Sequence, residues 1–146
     1  MFINEINSAG ALPALEAALR FSAQRQSVIA SNIANLDTPY YQTLDVSPQT
    51  FQKQLREAVD KRRAATGGAF GELAMRSTDE VKALAGGDLA LRPRVVGGNL
   101  LLHDRNDRQL ETLMKDQTEN LMVFRFTTDM IRSRYELMRS AISERV

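Results

Sequence analysis

The chain has 146 residues, room for one ordinary domain and not comfortably for two. Apolar residues make up 43% and charged residues 25%, and 19 basic against 18 acidic side chains leave a net charge of +1. That balance argues against a dedicated nucleic-acid binder, and the absence of cysteine excludes disulfides and thiolate metal sites.

The N-terminal stretch MFINEINSAGALPALEAAL lacks the basic start and apolar centre of a cleaved secretory signal, since Glu5, Pro13 and Glu16 interrupt it. No run approaches the roughly 18 apolar residues that a membrane-spanning helix needs, so direct membrane insertion is not expected. From about Pro13 to Asn35 the pattern predicts a helix. Proline is tolerated in its first turn, and Leu12, Leu15, Leu19, Ser22, Gln26, Ile29 and Ile33 recur at alternating steps of three and four. Thr38-Pro39 marks its end, because a proline pushes the preceding residue out of helical geometry.

Residues 40–104 collect the punctuation. Pro39, Pro48 and Pro93 border or lie within this stretch, and every glycine except Gly10 falls between Gly67 and Gly98. A short helix is expected from about Pro48 to Ala65, with Phe51, Leu55 and Val59 on one side. Gly67-Gly68, Gly86-Gly87 and Gly97-Gly98 read as joints, and 66–98 as loop with one or two short strands. The small basic cluster Lys61-Arg62-Arg63 reads as a solvated face.

From about Arg105 to Ser143 lies the strongest periodic signal. Leu110, Met114, Gln117, Leu121, Phe124, Thr128, Ile131, Tyr135, Met138 and Ile142 alternate steps of four and three, with no Gly or Pro after Gly98. At about 1.5 Å per residue this helix would reach roughly 58 Å against roughly 35 Å for the first. A hairpin of the two leaves part of the longer seam uncovered, which predicts a partner outside the chain. Polar members of the seams, Ser22 with Thr128 or Gln26 with Gln117, would set registers one heptad apart, and the sequence leaves both open.

No residue set for chemistry emerges, so catalytic, cofactor and metal sites are all expected to be absent. His103 is the only histidine, without a second ligand for zinc or a recognisable triad order. Gly67-Gly68 and Gly86-Gly87 lack the Lys-Ser/Thr of a phosphate loop.

The segment Ala23–Pro39, AQRQSVIASNIANLDTP, resembles the N-terminal signature of flagellar rod and hook proteins, a SNIAN-type helix end followed by a D/N-T-P turn. The segment from Gly97 to Val146, opening GGNLLLHDRNDRQLETL, is similar in pattern to that family's C-terminal helix. The likeness covers roughly 1–60 and 97–146. One departure stands out: the family commonly continues TPGYK, whereas here Thr38-Pro39 is followed by Tyr40, Tyr41 and Gln42.

The resemblance implies an all-α fold, an antiparallel coiled-coil hairpin of N- and C-terminal helices with a flexible, mostly irregular middle. Its parts would be 1–39, 40–104 and 105–146. It implies a structural subunit of the proximal rod in the flagellar basal body, in the periplasm, rather than an enzyme. Such subunits stack with copies of themselves and other rod and basal-body proteins into a helical tube that transmits torque and allows export. They leave the cell through the flagellar type III export apparatus without a cleaved signal. Assembly contacts are then expected at Leu15, Leu19, Gln26, Ile29, Asn32, Ile33, Asn35, Asp37, Thr38 and Pro39. On the last helix they are expected at Gln117, Leu121, Phe124, Thr128, Ile131, Tyr135 and Met138. Phe51 and Leu55 match the short Phe-x-x-x-apolar element read at the export gate. The rival reading is a soluble coiled-coil adaptor or secretion chaperone.

Overall fold

Helix α1 spans Leu12–Ala34, with Pro13 in its first turn. Helix α2 spans Pro48–Thr66, and helix α3 spans Leu110–Ser143. They belong to a computed structural model that describes residues 10–68, 70–96 and 110–143. The expected start of the last helix at Arg105, and His103, lie outside the described residues. Among the described residues there are also four short strands: β1 (Leu44–Asp45), β2 (Val81–Ala83), β3 (Leu89–Leu91) and β4 (Arg94–Val95).

The chain is an all-α hairpin in which α1 and α3 pack against one another. The expected architecture holds, but the middle is more organised than a loop. β1 pairs antiparallel with β4, Leu44 opposite Val95, and β2 pairs antiparallel with β3, Lys82 opposite Ala90. One or two short strands were expected in 66–98 and three lie there, but strands of two or three residues are too short to show a period that would place them. Gly86 and Gly87, both at positive φ (75° and 77°), turn the β2–β3 hairpin where a side chain would be strained.

α2 starts and stops on local chemistry. The Ser47 side chain accepts a hydrogen bond from the Thr50 N–H at 3.2 Å, and Pro48 occupies the first turn. Gly67 ends the helix in the left-handed conformation (φ 67°), its N–H bonded to the Arg63 carbonyl at 2.9 Å.

The apolar core joins α1, α2 and the strands, not α1 and α3. Ala17, Phe21, Val46, Phe51, Val81 and Leu89 are its buried members, with Leu55, Leu73, Met75 and Leu91 packed against them. Phe21 and Phe51 stack with ring centroids 4.0 Å apart. On α2 the buried stripe runs Phe51, Gln54, Ala58 and Arg62, with Leu55 and Val59 half-buried beside it. Lys61 and Arg63 are exposed, while Arg62 turns inward and donates to the Gly10 carbonyl at 2.7 Å.

Candidate functional site: the two faces of α1 and the open face of α3

α1 is clasped on two sides, and polar side chains do much of the clasping. Asn32 is buried, donating to the Leu44 carbonyl (2.6 Å) and accepting from the Leu44 N–H (3.1 Å). Its carboxamide therefore stands in for a neighbouring strand beside β1, and it also accepts from the Tyr41 hydroxyl at 3.0 Å. Two turns earlier Gln24 does the same for β3, donating to the Leu89 carbonyl and accepting from the Leu91 N–H. Arg20 reaches the Gly87 carbonyl at 2.9 Å.

Arg25, 4% exposed, joins both faces. It donates to Asp45 through two nitrogens, Nε to Oδ1 at 2.9 Å and Nη2 to Oδ2 at 2.6 Å, and lies 3.8 Å from Asp116 on α3. Burial opposes its charge. The hydrogen bonds and field of Asp45, with the fields of Asp116 and Glu119, outweigh that and hold its pKa above the ordinary value. Asp116 fares differently: burial pushes its pKa up, and Asp45 and Glu119 push the same way against the pull of Arg25. Arg25 has already committed its fork to Asp45, so Asp116 receives only the weaker share.

Against α3 the seam is polar at its centre. Asn120 is buried, and its Nδ2 donates to the Ser22 carbonyl and to the Gln26 Oε1, each at 2.9 Å. Placing Asn120 opposite Ser22 and Gln26 excludes the Ser22–Thr128 register and favours the one that brings Gln117 toward Gln26. Thr128 instead bonds back to its own helix, at the Phe124 carbonyl.

The inward stripe of α3 is rotated from the expected seam. Gln117, Phe124, Thr128, Ile131 and Met138 are half-buried, but the fully buried positions are Leu113, Asn120 and Thr127 rather than Met114 or Leu121. Met114, Leu121, Met130 and Tyr135 are exposed. So are Met122 at 66%, Phe126 at 63%, Leu137 at 61% and Ile142 at 66%. Beyond Thr127 no described residue of α3 is fully buried.

On α1, Ile29 is buried and Leu15, Leu19, Gln26 and Ile33 are half-buried, so these expected contacts lie largely within the hairpin. Asn35 is half-buried, and Asp37, Thr38 and Pro39 are exposed. Phe51 is buried and Leu55 half-buried in the core. The sequence reading missed Arg20, Gln24, Arg25, Asp45 and Asn120. The signal available was a second stripe on α1, Phe21, Arg25, Ile29 and Asn32 at steps of four, four and three, which the first heptad concealed.

The turn after α1 closes without a glycine. The Tyr41 N–H bonds to the Thr38 carbonyl at 3.3 Å, with Pro39 and Tyr40 between them and Tyr40 at φ 63°. That is the arrangement in which proline precedes a residue of positive φ, ordinarily glycine. A tyrosine there carries a strain of about 1–2 kcal/mol.

A family model covers the helix and this turn. The family described as flagella basal body rod protein matches residues 9–42. FlgB of Escherichia coli (strain K12), named a flagellar basal body rod protein, is 42% identical over 81 residues, covering 51% of this chain and 55% of that protein. Its namesake from Salmonella typhimurium is 40% identical over 81 residues with the same coverage. That from Yersinia enterocolitica is 43% identical over 56 residues, 38% of this chain and 39% of that protein. The chain thus spans about half the length of the relatives it matches. Over that part the chain is similar to flagellar basal-body rod proteins. Within that class, the relatives it resembles are FlgB.

Proposed function

We propose that the chain is a structural subunit of the bacterial flagellar basal-body rod, built into a helical tube with copies of itself and other rod proteins. The observation that carries this is the open apolar surface of α3: Met122, Phe126 and Leu137 share its outer face, Ile142 lies near its distal end, and all four are more than half exposed. Fully burying side chains of this size is worth about 1.5–3 kcal/mol each, and packing of an apolar face supplies most of a helix's stability in proteins. Neighbouring subunits would supply that burial. In this reading α3 holds the tube together, torque passes through packed helices, and the lumen serves export. In this reading the chain sits in the proximal rod, within the periplasm.

The exposed turn residues Asp37, Thr38 and Pro39, with Leu121 and Tyr135 on α3, are the expected contacts still available to neighbours. Phe51 and Leu55 would serve export only in the unfolded chain, since folding places both against the core. Among the described residues no helix is long and apolar enough to cross a membrane.

Sedimentation of the purified full chain over a concentration series tests the proposal, alone and with other rod proteins. Growth into an open-ended series of sizes supports it. A discrete dimer that stops growing would favour the adaptor or chaperone reading instead.

A further inference from the structure

Tyr40 is 74% exposed and held at φ 63°, a backbone conformation that glycine or asparagine would occupy with less strain. Tyr41, its neighbour, bonds inward to Asn32, so the turn needs only one of the two rings. A large ring standing in water on a strained backbone gives the isolated chain nothing. Such outliers point to a contact outside it.

Charge and position identify the occupant. The end of α1 is electronegative: its last turn carries no basic residue, the helix dipole leaves partial negative charge there, and Asp37, three residues before Tyr40, is exposed. Exposed Val95 and Val96 border the same loop, where the Val96 N–H bonds to the Thr43 carbonyl. The distal part of α3, residues 132–143, has the opposite character. It carries Arg132, Arg134 and Arg139 against Glu136, and exposes Tyr135, Leu137 and Ile142. An arginine over a tyrosine ring is a favourable pairing, and both partners also bring apolar surface. In a hairpin these two patches sit at opposite ends, so one molecule cannot join them to each other.

We propose that Tyr40 seats the distal segment of α3, residues 132–143, from a second copy of this chain. The contact is head to tail, and a heterologous contact of that kind generates an open filament rather than a closed pair. It deepens the rod-subunit reading and rests on it for self-assembly.

The test places a photoreactive side chain in the full-length protein, Tyr40→p-benzoylphenylalanine, under conditions where the wild type sediments as an assembly. Covalent dimers whose linked peptides fall within 132–143 are the expected result. Assembly with links only elsewhere, or with none between copies, overturns the Tyr40 contact and leaves the rod reading standing. A wild-type chain that stays monomeric at every concentration, alone and with other rod proteins, overturns both, and one that assembles only with other rod proteins overturns the Tyr40 contact alone. A second variant separates contact from fold. Tyr40→Gly should melt higher than wild type yet assemble about tenfold more weakly, the size of a single anchoring residue's loss. Tyr40→Phe should assemble as wild type does. Undiminished assembly by Tyr40→Gly would also overturn the contact.

Discussion

The inner face of α1 and the outer face of α3 lie on opposite sides of one hairpin and solve the same problem differently. α1 meets α2 and the strands through stacked Phe21 and Phe51, and its polar residues find partners at β1 and β3. α3 meets α1 through a narrow seam centred on Asn120 and leaves most of its large apolar side chains in water. The first region is complete within one chain. The second is half of an interface, and the contrast shows where a single subunit ends energetically.

Substitutions can break that contrast. The largest effect should come from the complete region: Phe51→Ala empties the stacked pair and should cost about 3–5 kcal/mol, read as a lower denaturant midpoint. Arg25→Ala follows, at about 3–4 kcal/mol, because it strands Asp45 without its paired charge. Loss of Arg25 should also loosen β1, visible as faster amide exchange at Leu44 and Asp45. Asn120→Ala, removing the bonds to Ser22 and Gln26, should cost about 1–2 kcal/mol and blur the register, detectable by spin-label distances between α1 and α3.

The open face should behave oppositely. The double change Leu137→Glu with Ile142→Glu should alter the dilute chain's stability by no more than about 0.5 kcal/mol, yet abolish sedimentation of assemblies. A large loss of monomer stability would mean that this face is already covered.

The smallest effect is electrostatic. Burial raises the Asp116 pKa in the folded chain, so the folded state keeps that proton where the unfolded chain has released it. This group therefore favours folding as pH falls through the interval between its raised native value and the ordinary carboxylate value, and that contribution is lost as pH rises. Asp116→Asn should remove this slope from a series of melting temperatures taken across mildly acidic pH.

Much of the hairpin was legible in the sequence because long helices repeat their signal over many turns. The first helix, expected from Pro13 to Asn35, is Leu12–Ala34, and Pro48–Ala65 became Pro48–Thr66. What escaped was which side of each helix faces which neighbour. A seam drawn through Met114 and Leu121 differs by one residue from one through Leu113 and Asn120, about 100° of rotation, and only tertiary contact decides between them. The polar clasps escaped for another reason: Gln24, Arg25 and Asn32 bind backbone or charge far along the chain, and no local pattern encodes such partners. Tyr40 was visible as a departure from TPGYK, but that a tyrosine would accept the glycine's conformation was not.

Hydrogen exchange along α3, compared between the dilute chain and its assembly, tests the central claim most directly. The account predicts slow exchange from Leu113 to Thr127 in both states, with residues 130–143 exchanging fast in the dilute chain and becoming protected on assembly. Equal, strong protection of 130–143 at high dilution would contradict it, because the lone chain would then have completed its own surface.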